Sequence, residues 1–142
     1  MRGGSDGEGG ALFVSDSELE IRGSHFEHLR AEVSGGALAL VDGAKGNLTD
    51  STFTHCSAVT MGGGAFISNG STCVMDWMLF SFNEASSDGG GAVARQGSQV
   101  NVSASVFTNN TVGSGYGSAV AVLDGSSLRI TRGVCVFTYT HV

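Results

Sequence analysis

Phe80-Ser81-Phe82-Asn83, then Gly90-Gly91-Ala92-Val93, then Phe107-Thr108-Asn109-Asn110: these runs decide the fold, because the second Phe-x-x-Asn arrives 27 residues after the first. Upstream the same interval reaches Phe53 and Phe26, so phenylalanine recurs three times running at that spacing. The Gly-Gly-Ala-apolar run keeps time with it. It occurs as Gly9-Gly10-Ala11-Leu12, Gly35-Gly36-Ala37-Leu38, Gly63-Gly64-Ala65-Phe66 and Gly90-Gly91-Ala92-Val93, and decays to Gly117-Ser118-Ala119-Val120. Its alanines lie 26, 28, 27 and 27 residues apart. Two markers of one period mean one structural unit copied along the chain, each copy too small to bury its apolar face alone.

Between the markers, apolar residues alternate. Leu19 and Ile21 precede Phe26, Gly46 and Leu48 precede Phe53, Cys73 and Met75 precede Phe80, and Val100 and Val102 precede Phe107. Leu128 and Ile130 precede Cys135, which is read as taking the phenylalanine slot. A period of two describes strands with one face inward, and no window carries a sustained 3.6-residue stripe. Each copy reads as a Gly-rich turn, a strand (Ala11 to Val14), a turn (Ser15 to Ser17), a strand (Glu18 to Arg22), a bend and a third strand around Phe26. Three short strands per turn of chain, each stacked on its equivalent about 4.8 Å away, make a parallel β-helix. The expectation is all-β, about five coils of 27 residues over 1–142 as a single segment, a rod on the order of 24 Å long. Phe26, Phe53, Phe80 and Phe107 are expected on one wall, with Leu12, Leu38, Phe66, Val93 and Val120 on another.

The turns carry their own logic. Gly-Gly before a small Ala suits a left-handed backbone and close approach between coils. Asn83 and Asn110 share the slot three after phenylalanine, where stacked amides can bond along the rod; Leu29 and Cys56 hold that slot in earlier coils. Ser24, Ser51 and Ser105 share another slot, broken by Met78. Leucine-rich repeats lack support, since their Leu-x-x-Leu-x-Leu frame is missing. Left-handed β-helices use shorter coils built from hexapeptides. Calcium-binding nonapeptide repeats need Gly-Gly-x-Gly-x-Asp in tandem, which Gly7-Glu8-Gly9-Gly10 approaches once.

The alternation of Gly-Gly-Ala-(Ile/Leu/Val) with Phe-x-x-Asn resembles the repeats of the polymorphic outer membrane protein family of bacterial surface autotransporters. Phe80-Ser81-Phe82-Asn83 and Phe107-Thr108-Asn109-Asn110 fit the second motif fully, whereas Phe26-Glu27-His28-Leu29 and Phe53-Thr54-His55-Cys56 keep only the phenylalanine. The resemblance spans Gly9 to about Val136, and the chain is also similar to the broader pectin-lyase-like group. It implies a right-handed coil and a secreted or surface setting. It imports no activity, because such repeats are scaffolding shared by many functions.

With 23 glycines, no proline and Lys45 as the single lysine, the composition suits tight stacked coils. The net charge is -6, and seven of the thirteen acids lie before Ser34, which argues against a nucleic-acid partner. No apolar run approaches the ~18 residues that span a bilayer. Cys56, Cys73 and Cys135 occupy three different slots and read as buried free thiols. Four of the six asparagines head Asn-x-Ser/Thr sequons: Asn47, Asn69, Asn101 and Asn109 are candidate glycosylation sites. Met1-Arg2-Gly3-Gly4 opens no signal-peptide apolar region. Bare solenoid ends, without a polar cap, are expected in a piece of a longer secreted or cell-surface protein, and as a free chain would favour end-to-end association. Residues 134–142 fall out of step and are read as either a degenerate last coil or an irregular tail.

Catalysis on polysaccharides needs carboxylates gathered for Ca²⁺ with a base, or two or three close carboxylates. The outward positions read Glu18, Glu20, Arg22; Asn47, Thr49; Thr72, Val74, Asp76; Gln99, Asn101, Ser103; Ser127, Arg129, Thr131. Only the first coil is rich in charge, so no catalytic residue and no cofactor are assigned. His28 and His55 share a slot one coil apart, a spacing that would suit a shared metal, but the slot also holds Phe82 and no third ligand is evident. The pair is read as half-buried packing, with no metal. An ice-binding face would need regular threonine ladders; Thr52 and Thr54 form one pair in an irregular face. Its apolar half, Leu79, Val106 and Val134, is the candidate contact strip. The resulting expectation is a non-catalytic structural or adhesive β-helix segment, extracellular or at the cell surface. Its side wall would meet a protein, a glycan or neighbouring coils. The alternative is a fragment of a polysaccharide-active enzyme whose catalytic coils lie elsewhere.

Overall fold

The computed structural model describes residues 4–5, 7–132 and 135–138, with side chains over 7–132. Every described element is a strand, and every strand pairing is parallel. The first wall stacks Leu12–Ser15, Leu38–Val41, Ala65–Ile67, Ala92–Ala94 and Val120–Val122. The second stacks Glu18–Arg22, Lys45–Thr49, Thr72–Asp76, Gln99–Ser103 and Ser127–Thr131. The third carries His25–Glu27, Thr52–Thr54, Leu79–Ser81, Val106–Val112 and Cys135–Thr138. From Leu12 through Leu38, Ala65 and Ala92 to Val120 the chain completes four turns, giving five stacked strands.

Short strands at Gly4–Ser5, Arg30–Ala31, Ser57–Ala58 and Glu84–Ala85 extend the third wall beyond the asparagine slot and join it through Val106–Val112. They contain too few residues for an alternating pattern to be visible in the sequence. Within residues 134–142, read as either a degenerate last coil or an irregular tail, Cys135–Thr138 continues the third wall with a register shift after Phe107. That register sets Val136, not Cys135, opposite Phe107. The reason is the length of the preceding turn: 29 residues separate Phe107 from Val136, two more than the usual period.

The phenylalanine file is continuous. Successive ring centroids lie 4.9, 4.9 and 4.7 Å apart from Phe26 to Phe107, edge-to-face in the first two contacts and stacked in the third. Phe53, Phe80 and Phe107 are fully enclosed. Each such pair adds roughly 0.5–1.5 kcal/mol beyond the area it buries.

The expected second file is corrected. Leu12 and Leu38 lie in register with Ala65, Ala92 and Val120, facing the main core, whereas Phe66 and Val93 continue a different column with Phe13, Ala39 and Ala121. The slip comes from the glycines. Coil-to-coil bonds make Gly64 and Gly91 the equivalents of Ala37, so the third glycine of each Gly-Gly-Gly run fills the alanine slot. A Cβ on Gly64 would meet the Phe80 ring at 2.9 Å and the Gly91 carbonyl oxygen at 2.6 Å. Where the neighbouring ring presses that closely, alanine does not fit. The displaced column forms a second small cluster of Ala39, Val41, Phe66, Val93 and Ala121, with Met61 packed on it. Leu38-Ala39-Leu40-Val41 is therefore buried on both faces, as an unbroken apolar run permits.

Candidate functional site: the second wall and the histidine corner

The outward columns of the second wall follow from its register. Glu18 stacks on Lys45, Thr72, Gln99 and Ser127; Glu20 on Asn47, Val74, Asn101 and Arg129; Arg22 on Thr49, Asp76, Ser103 and Thr131. Between the first three coils lies an open groove of about 500 Å³, bounded by Glu18, Glu20, Lys45, Asn47, Thr72 and Val74. The carboxylates in it face other partners than acids. Glu18 lies 3.9 Å from the Lys45 ammonium, and Glu20 pairs with Arg22 at 2.5 Å. Lower down, the Ser103 hydroxyl donates to Asp76 at 2.6 Å.

The asparagine ladder read from the sequence is formed. The Cys56 and Asn83 backbone N–H groups donate to the Oδ1 atoms of Asn83 and Asn110, each at 3.0 Å. The Asn83 and Asn110 amides donate to the Phe53 and Phe80 carbonyls at 2.9 and 3.0 Å. Cys56, in the same slot, turns its thiol towards the equivalent Phe26 carbonyl at 3.8 Å and towards the Thr54 carbonyl at 3.4 Å. Ser51 and Ser105 accept from the backbone N–H groups of Ser24 and Met78, one coil before each. A further ladder, Ser71, Ser98 and Ser126, was missed: each hydroxyl oxygen accepts from the backbone of the preceding coil, at 3.0–3.2 Å. Its signal was three serines spaced 27 and 28 residues apart.

The corners are left-handed, and not only at glycine. Asp42-Gly43, Asn69-Gly70, Gln96-Gly97 and Asp124-Gly125 each place two positive φ values in succession. Turns of that kind favour Asx-Gly, so their recurrence was a legible marker that the sequence reading passed over. Beside this corner, burial and the nearby charge of Asp42 push the Glu8 carboxyl above its ordinary value.

A second left-handed corner carries His28, His55, Phe82 and Asn109, with φ of 55°, 51°, 55° and 53°. That backbone turns the side chains outward. His28 and His55 are exposed, which corrects the expected half-buried packing. Their rings stack at 5.0 Å and 26°, and His55 stacks on Phe82 at 5.0 Å and 6°. The structure also supplies the third donor that the sequence did not reveal. One carboxylate oxygen of Glu27 lies 3.4 Å from His28 Nε2, and the other lies 3.4 Å from His25 Nε2. Glu27 sits on the strand immediately before the corner, which brings its outward side chain to the ring of the next residue. Cys56 contributes nothing there, being buried on the opposite side.

Leu79 and Val106 are adjacent in register and half-buried; Val134 lies outside the described residues. Thr52 and His25 complete their column, with the His25 ring against the Thr52 hydroxyl. All four sequon asparagines are exposed, Asn47 and Asn101 on the second wall and Asn69 and Asn109 at left-handed corners. Among the described residues, Cys56 and Cys73 are free and buried. No described helix is long and apolar enough to cross a membrane.

A family model described as the right-handed beta helix region matches residues 4–135. The chain belongs to that family. Stacked parallel walls and the family's right-handed coil agree with the hand preferred for parallel crossover connections. No curated protein and no solved structure matches the chain.

Proposed function

We propose that this right-handed β-helix is a non-catalytic structural or adhesive segment of a secreted or cell-surface protein, presenting its second wall to a partner. The observation that carries the reading is the sequence of side chains met in passing from coil to coil. Glu18 is followed by Lys45 and Thr72, and Glu20 by Asn47 and Val74. Carboxylates are thus succeeded by a cation, an amide, a hydroxyl and an apolar side chain. Such a surface offers donors and acceptors to a hydroxyl-rich glycan, and it lacks the stacked acids that hold Ca²⁺ or attack a glycosidic bond. Repeats resembling those of polymorphic outer membrane proteins, together with four exposed sequon asparagines, favour the surface setting.

The second reading is a fragment of a polysaccharide-active enzyme, favoured by the open groove along a β-helix wall. The test incubates the chain with pectin and alginate, with and without Ca²⁺, and follows chain cleavage. No turnover above a heat-killed control is expected, while mobility in gels containing these polysaccharides is retarded and Asn47→Ala relieves the retardation. Turnover reverses the ranking of the two readings. Unchanged mobility in every polysaccharide removes the glycan from the proposal.

A further inference from the structure

We propose that Glu27, His28 and His55 form a binding site for one divalent transition-metal ion of the zinc, copper or nickel class. One ligand atom from each residue lies within 4.8 Å of the other two. The donors come from two successive coils, so their relative position is fixed by strand pairing: Glu27 ends a strand whose register partner is Thr54, the residue before His55. Both histidines are held at the corner by the same left-handed backbone.

The chemistry of the set selects the ion. Two imidazoles and a carboxylate suit borderline cations, whereas Ca²⁺ and Mg²⁺ take oxygen shells. A tetrahedral ion with bonds of about 2.0–2.2 Å needs its donors roughly 3.3 Å apart, with water in the fourth position. Closing from 4.8 Å requires rotation of side chains that are open to solvent, and the rigid backbone need not move. The surroundings favour closure. Phe82 backs the His55 ring on the side away from His28, and His25 engages the second oxygen of Glu27. A neighbour that orients a ligating carboxylate in this way ordinarily strengthens a site.

The experiment uses the whole chain without an affinity tag, stripped of metal and titrated with ZnCl₂ by calorimetry. One equivalent is expected to bind, and the ring-proton resonances of His28 and His55 shift as it does. His55→Phe copies the residue already present in the next coil, so the stack on Phe82 survives. Glu27→Gln keeps the shape of the side chain. Each variant is expected to weaken binding at least about tenfold. Circular dichroism establishes that each is folded; if one is not, the other variant and the resonance shifts in the unaltered chain decide. Absence of binding at millimolar Zn²⁺ overturns the proposal. So does undiminished binding by the folded variants, which would assign the metal to other groups of the chain.

Discussion

The Asn110 side-chain oxygen accepts twice from Asn83, at 3.0 Å from the backbone N–H and 3.0 Å from the side-chain amide. Both asparagines are fully buried, and the Asn110 amide closes the circuit on the Phe80 carbonyl at 3.0 Å. One side chain therefore satisfies three groups that water cannot reach.

Asn110→Ala removes all three hydrogen bonds and leaves the buried Asn83 backbone N–H without its acceptor, while the Asn83 amide keeps only the Phe53 carbonyl. A buried unsatisfied donor or acceptor costs about 1–3 kcal/mol, so the loss is expected to be at least about 1–3 kcal/mol. Asn101→Thr, on the exposed wall, should change stability by no more than about 0.5 kcal/mol. Urea denaturation followed by circular dichroism measures both. Equal midpoints for the two variants would show that the ladder contributes nothing to stability.

Glycine is required at Gly36 for a different reason than at Gly43. Gly36 has no positive φ, but a Cβ there would overlap the Gly63 carbonyl oxygen and lie 2.7 Å from the Ser57 backbone nitrogen and oxygen. Backbone atoms cannot step aside without separating two coils. Gly43 has φ of 75° and open space around it, so alanine there meets conformational strain alone. Gly36→Ala is expected to cost about 3 kcal/mol or more, and Gly43→Ala about 1–2 kcal/mol. Urea midpoints in the reverse order would refute the close-approach argument.

How far the sequence could be read follows from what each residue encodes. Phe26, Phe53, Phe80 and Phe107 were legible because a large side chain at a fixed interval has one physical use, and Asn83 and Asn110 because a buried amide needs a stacked partner. The first wall was misregistered because Gly-Gly-Ala can slide by one place when an extra glycine precedes it. The Phe80 ring and the Gly91 carbonyl against Gly64, and the Phe107 ring against Gly91, decide between the two frames, and those contacts join residues far apart in the chain. The histidine corner failed for a related reason. His28 and His55 were visible as a pair, but whether they faced inward depended on a left-handed φ at a residue that seldom adopts one. Glu27 was unremarkable until that φ turned the ring of His28 towards it.

Burial pushes the Cys56 thiol up to about 11, with partial relief from the backbone around it, and burial alone pushes Cys73 up to about 12. Unfolding returns both to the ordinary range near 9. Between these limits the folded chain holds protons that the unfolded chain has released, so stability falls as pH rises. The contribution is intact below about pH 9 and is lost progressively up to about pH 11–12, with a slope of at most about 1.4 kcal/mol per pH unit for each thiol. Urea midpoints measured from pH 8 to 11 should decline, and Cys73→Ala, although less stable throughout, should show a shallower decline. At pH 8 a thiol reagent mapped by mass spectrometry is expected to label Cys56 and Cys73 roughly a hundredfold more slowly in the native chain than in urea. Labelling at the unfolded rate would place these thiols in contact with solvent, and the alkaline loss of stability would then need another source.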